Sequence, residues 1–208
     1  MLRCPTDRIR RQIEFVVEID KLKRVYRRTY VMDESGREND AEHSWHLAMM
    51  AMLLAEHVAG DEVDLLRVVK MVLIHDLVEI DAGDTFCYDA EAARTKAARE
   101  QAAAVRIFNI LPADQAAGIR SLWDEFEARN TLEARYAAAI DRLQPMLHNY
   151  FTKGRAWLEH GVTADQVLER NRHMAEGAPA LWQVAEALVR DAVDKGYLAP
   201  APDRPNDS

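Results

Sequence analysis

The chain has 208 residues, 49% of them apolar and 30% charged, with a formal charge of −8 at pH 7. That length and balance fit one globular domain and exclude a disordered chain, and the acidic surplus argues against a nucleic-acid partner. Two cysteines, Cys4 and Cys87, stand far apart in no zinc-type spacing, which excludes a disulfide framework and makes a reducing, cytoplasmic setting the expectation.

Apolar runs such as Leu47 to Ala55 and Val68 to Ile74 fall short of the roughly 18 residues a membrane helix needs, so no membrane partner is expected. The first eleven residues carry arginines but no apolar signal core, which argues against secretion.

The punctuation along the chain is helical. Thr6 or Asp7 caps a first helix whose Ile9, Ile13, Val16 and Val17 recur at helical spacing. Residues 31–39 read as a loop. Asn39 with Glu42 forms a capping-box pattern for a second helix ending near Gly60. A third is expected from Asp64 to Glu79, apolar almost throughout and so central. Gly83-Asp84 ends it, and a long alanine-rich helix follows from Asp89 to Ile110. Pro112 opens the next. Asn130 with Glu133 opens another, which carries Asp141 to about Thr152. Thr163 with Gln166 marks a short helix, and Pro179 starts a last one closed by Gly196. No strand alternation and no repeat is visible. The expected architecture is all-α: one helical domain over 1–199 and a frayed tail over 200–208.

Within this pattern His43, the pair His75-Asp76, and Asp141 each sit in an apolar helical stretch. Adjacent helical residues diverge by about 100°, so His75 and Asp76 can hold an ion only from its flanks, and other helices must complete the shell. Two imidazoles and two carboxylates suit one divalent ion (Mn, Co, Fe, Zn or Mg) and leave positions open for water and a phosphate oxygen. Glu79 falls three residues after Asp76, on nearly the same face, where a carboxylate can orient or deprotonate water.

The signatures Ala41-Glu42-His43, His75-Asp76-x-x-Glu79-x-x-x-Gly83-Asp84 and Ala139-Ile140-Asp141 resemble the HD-domain superfamily, with the 5′-deoxynucleotidase branch most similar. The resemblance covers about residues 10–152. It implies an all-α fold, metal ligands at His43, His75, Asp76 and Asp141, a water- or substrate-positioning acid at Asp84, and a homodimer. It also implies a phosphate- and sugar-contacting arginine at Arg24, in the basic run Lys21 to Arg28; the family often has Pro where this chain has Tyr26.

The expected activity is removal of the 5′-phosphate from deoxyribonucleoside monophosphates by metal-activated water. The alternatives are a phosphodiesterase or nucleotide pyrophosphohydrolase on the same scaffold, and a binding module with a structural metal. His46, one turn after His43, is expected to pack or support rather than ligate. His148 is expected in the core or at the surface, with a pocket position as the alternative. Asp81 reads as a solvated acid, and Trp45 as core or pocket wall.

Overall fold

The computed structural model describes residues 4–60, 62–85 and 90–202, with the side chains of 90–93 outside that description. The expectations for Cys87 and for 203–208 lie outside the described residues.

Local caps set several helix starts. Thr6 Oγ1 accepts from the Ile9 amide at 3.2 Å and opens α1, Asp7–Ile19. Asn39 and Glu42 close a reciprocal capping box at the head of α2, Asp40–Leu53, satisfying amides that have no intrahelical acceptor. Asp64 caps α3, Leu65–Ile74. After α4, Glu79–Ala82, Gly83 turns the chain with φ +72°, a conformation open to glycine at no steric cost. Then come α5, Ala90–Phe108, α6, Ala113–Ala128, and α7, Leu132–Phe151. Four helices close the domain: α8, Arg155–Glu159; α9, Ala164–Asn171, with the Thr163–Gln166 box; α10, Met174–Gly177; and α11, Pro179–Asp194.

The all-α expectation holds with one departure. Residues 26–39 form an antiparallel hairpin of β1, Tyr26–Tyr30, and β2, Arg37–Asn39, with an irregular register between Tyr26↔Asn39 and Tyr30↔Arg37. The loop expected over 31–39 is therefore partly strand. Its turn is closed by Val31 N–H to Gly36 O at 3.0 Å and by Ser35 N–H to the Asp33 carboxylate at 2.9 Å.

Three boundaries also move. The α-helical part of the second helix ends at Leu53 rather than near Gly60, passing into a 3-10 turn at Ala55–His57. The helix expected to run from Asp64 to Glu79 changes to a 3-10 turn at His75–Val78. Thr131, not Asn130, caps α7; the Glu133 carboxylate instead accepts from the Asp64 amide at 3.1 Å.

Two apolar clusters form the core. One gathers α2, α3 and α7 with the C-terminal helices, and the other gathers α1, α5, α6 and the residues flanking the His75 turn. Met71 and Val72 belong to the first, Ile74, Leu77 and Val78 to the second. His75 and Asp76 thus lie at the seam. The apolar positions of α11 include Leu181, Ala185, Val189 and Ala192, which are buried within the chain. Trp45, expected in the core or pocket wall, is 63% exposed. Among the described residues no helix is long and apolar enough to cross a membrane.

Helix α7 is the axis of the first cluster, packing on α2, α3, α6, α10 and α11. Its approach to α10 depends on Gly177, where a Cβ would overlap the backbone of Arg135 and Tyr136. Gly177→Ala is expected to cost about 1–3 kcal/mol through forced backbone displacement. Gly118→Ala, inside α6 with nothing within 4 Å of the new Cβ, is expected to add about 0.5–1 kcal/mol. Thermal unfolding of the two variants should move in opposite directions; a neutral Gly177→Ala would remove the close-packing argument.

Candidate metal centre and its cavity

Each proposed ligand is placed by a different element. His43 lies in the first turns of α2, whose start the capping box fixes. Asp141 lies midway along α7. His75 and Asp76 open the 3-10 turn, where the Trp123 indole donates to the His75 carbonyl at 3.2 Å and the Phe126 ring stands 4.8 Å from the imidazole. A 3-10 turn has three residues per turn, so His75 and Asp76 differ by about 120° rather than 100°.

The side chains converge. His43 Nε2 is 3.0 Å from Asp141 Oδ1, and His75 Nε2 is 3.6 Å from the same oxygen and 3.1 Å from Asp76 Oδ1. His43 Nε2 is 3.8 Å from Asp76 Oδ2. His43, His75 and Asp141 each present one ligand atom within 4.8 Å of the others.

The outer bonds orient both rings. His75 Nδ1 donates to the Val72 carbonyl at 3.0 Å, and His43 Nδ1 donates to Gln144 Oε1 at 3.2 Å. Each ring therefore turns Nε2 inward, the arrangement ligating histidines adopt. Nε2 of His75 is buried with no hydrogen-bond partner.

Electrostatics asks for a cation there. Burial would lower the His75 pKa, but Asp76 and Asp141 raise it to about 9. A divalent ion competes for that same lone pair, because ligation requires the neutral ring. Burial, then Arg27, pushes His43 down to about 4, leaving its lone pair free. Asp141 is held well below the usual carboxylate range against burial, by Arg142 and the two histidines. Asp76 is likewise lowered against burial by His75, Arg27 and His43. Four convergent donors, an unpartnered buried nitrogen and paired second bonds fit a divalent ion.

A cavity of about 380 Å³ opens onto this floor, within the range of small-molecule sites. Glu79 and Asp84 line it with Arg28, Lys96 and Arg142. Glu79 is held well above the usual carboxylate range by burial, then by Asp76 and Asp40. Burial also raises Asp84.

Arg24 stands elsewhere: it is exposed at the end of the Asp20–Arg24 turn, while Arg27 and Arg28 line the cavity. Arg27 reaches Asp76 at 2.9 Å and Asp40 at 3.3 Å. Sequence reasoning missed Arg27, Asp40 and Glu38. The strand alternation that turns Arg27 inward is confined to Tyr26–Tyr30, whose side chains show no apolar alternation. Asp81 pairs with Arg106 at the surface, as a solvated acid should.

The HD domain family model matches residues 19–182. The chain belongs to the HD domain family. A 53% identical structure from Magnetospirillum magnetotacticum, described as a predicted metal-dependent phosphohydrolase, superposes with a TM-score of 0.88 over 94% of this chain and all of that one. An HD-domain phosphohydrolase from Listeria innocua, 16% identical, shares the fold with a TM-score of 0.59 over 90% of this chain and 92% of its own. Human 5′-deoxynucleotidase HDDC2 is 30% identical over 136 residues, 65% of this chain and 65% of that protein. The Dictyostelium discoideum protein of the same name is 29% identical over 140 residues, 65% of this chain and 74% of its own. This HD-domain chain thus matches about two thirds of the human relative's length.

Across the cavity His173 carries a buried Nε2 without a hydrogen-bond partner. Burial, then Arg142, Arg129 and Arg170, lowers its pKa to about 4. Since the unfolded ring titrates near 6.5, the unfolded chain takes up the proton first, and this contribution to stability falls as pH drops from about 6.5 towards 4. The Tm loss between pH 7 and 5 is expected to shrink in His173→Gln; an unchanged slope would show that His173 titrates normally.

Proposed function

We propose that this HD-domain protein is a metal-dependent phosphomonoesterase that removes the 5′-phosphate from deoxyribonucleoside monophosphates. The observation that carries the reading is the convergence of His43, His75, Asp76 and Asp141 at the floor of a cavity with cationic and carboxyl groups on its walls. The substrate class follows the printed activity of the human and Dictyostelium relatives, and the metal dependence follows the description of the Magnetospirillum neighbour.

These four residues would hold a divalent ion, which would supply Lewis acidity towards a phosphate oxygen and lower the pKa of water towards neutrality. The chain's own groups do the rest. Arg28 and Arg142 line the cavity and oppose the negative charge that grows on the phosphoryl oxygens; Arg142 also pairs with Asp141 at 3.1 Å. Glu79, hydrogen-bonded to Asp40 and with its pKa raised by burial and its acidic neighbours, moves a proton between the attacking water and the leaving 5′-oxygen. Asp84 positions water or sugar at the wall. Arg24, exposed beyond the cavity, has the weaker claim to the phosphate; Arg28, four residues on, has the better position.

One observation bears on a second reading. Asp40, Asp76 and Glu79 also bring three ligand atoms together, as a second metal for diester or pyrophosphate chemistry would need. The Arg27 guanidinium already provides a cation there, 2.9 Å from Asp76 and 3.3 Å from Asp40, which favours the single-metal monoesterase.

The test is phosphate release from deoxy- and ribonucleoside monophosphates, diphosphates and cyclic nucleotides, using metal-stripped protein resupplied with Mn, Co, Mg or Zn. Deoxymonophosphates are expected to turn over, Asp76→Ala to abolish activity, and Glu79→Gln to lower kcat about 10²–10⁴-fold with little change in KM. Turnover of diesters or polyphosphates alone would replace this reading with the two-metal one.

A further inference from the structure

A second set of donors, none of which lines the cavity, is reached through Nδ1 of His43 rather than Nε2. Glu38 on β2, His46 on α2 and His148 on α7 bring one ligand atom each within 4.8 Å of the others. His148 Nε2 is 3.4 Å from His46 Nδ1 and 3.7 Å from Glu38 Oε1. Donors at zinc-like bond lengths around a tetrahedral ion stand about 3.3–3.6 Å apart, so the spacing is close to that of a filled site. His148 Nδ1 donates to the Tyr30 carbonyl at 2.8 Å, the outer bond of a ligating histidine, and leaves Nε2 with its lone pair. Burial keeps that ring neutral, its pKa pushed down to about 4.

The amide nitrogen of Gln144 fills the centre. It bonds to Glu38 Oε1 and stands 2.9 Å from His148 Nε2 and 3.3 Å from His46 Nδ1. The amide has two protons and faces three acceptors. If His46 carries its proton on Nδ1 instead, that proton and the second amide proton compete for the single lone pair of His148. Within the cluster itself neither tautomer pairs every group, and Glu38, Gln144 and His148 are 2%, 0% and 4% exposed, so that only His46 can turn to water. A dipositive ion in place of the amide nitrogen closes the count, with two imidazoles, one carboxylate and, once the amide has drawn back and turned, Gln144 Oε1. His46 is only partly buried and gives the ion a way in. Two nitrogen donors select zinc, cobalt(II), nickel or iron(II) over magnesium and calcium.

We propose that Glu38, His46, His148 and Gln144 form a second, transition-metal site whose occupancy opposes the first. The opposition runs through Gln144. Its Oε1 now accepts from His43 Nδ1 at 3.2 Å and so keeps the lone pair on Nε2, which faces Asp141 at 3.0 Å. Turning the amide presents its N–H to His43 Nδ1. His43 must then accept there and carry its proton on Nε2, where it cannot ligate. This coupling rests on the reading of His43 as a ligand, whereas the second site does not.

Metal-stripped full-length protein titrated with Co²⁺, followed by calorimetry and visible absorption, reads the site directly. Two equivalents are expected in the wild type, the second bound at least about tenfold more weakly than the first because filling one site withdraws His43 from the other, and one in His46→Ala, which leaves two amide protons for two acceptors and so should fold well. His148→Gln should lose the same equivalent. A single equivalent in the wild type, or two in both variants, would overturn the site. In the Mn²⁺-supported reaction, Zn²⁺ is expected to inhibit the wild type at least about tenfold more than His46→Ala, and equal inhibition would overturn the coupling. If no phosphate ester is turned over at all, the proposed activity fails while the Co²⁺ stoichiometry still decides the site.

Discussion

The rest of the structure depends on one electrostatic constraint: Glu38, Asp40, Asp76, Glu79 and Asp141 are all buried near one seam between two apolar clusters. Charges taken out of water cost several kcal/mol each unless paired or protonated. The chain meets that demand with two guanidiniums, the His75 imidazole and protons: Arg142 pairs with Asp141 at 3.1 Å. Arg27 touches Asp76 and Asp40 and lies 3.8 Å from Glu38, while burial lifts both Glu38 and Asp40 to about 7. Apolar residues of similar volume would hold such a seam at least as well. A cluster this costly is better explained by the divalent ion proposed to sit there than by stability.

That constraint accounts for the irregular backbone around the site. A straight α-helix from Asp64 to Glu79 would set His75 and Asp76 about 100° apart; the 3-10 turn, tied by the Trp123 indole to the His75 carbonyl, widens the angle. The β1–β2 hairpin places Arg27 and Glu38 on the inward side of neighbouring strands, with Thr29 Oγ1 donating to Glu38 Oε2 at 3.4 Å. The departures from plain helix among residues 26–39 and 75–78 are thus the segments that carry charge into the seam.

What was legible in the sequence was what is local. Thr6, the Asn39–Glu42 box and the Thr163–Gln166 box announce helices through bonds between residues three apart, and such bonds leave a signature in a single string. The proposed ligands were readable because an acid and an imidazole inside apolar runs violate the helical pattern. The hairpin was not readable, because Tyr26-Arg27-Arg28-Thr29-Tyr30 mixes long amphipathic side chains that suit either face. Arg24 and Arg27 look alike in a basic run; only the pairing with β2 decides which one turns inward. Trp45 misled for a related reason. A large ring two residues after His43 reads as core, yet two residues of helical rotation, about 200°, carry it into solvent.

Helix α7 shows how one rigid element organises both donor sets. Asp141, Gln144 and His148 follow one another at three and four residues, so they share a face. Asp141 serves the cavity floor, His148 the inner cluster, and Gln144 touches both through opposite ends of one amide. Seven residues place Asp141 and His148 about 10 Å apart along the axis, too far for direct contact yet bridged by a single side chain. Arg142, about 100° round from Asp141, lines the same cavity. A side-chain site held by a packed helix keeps its spacing better than one held by loops. The amide is then the natural moving part, since its torsion can turn while the backbone around it cannot.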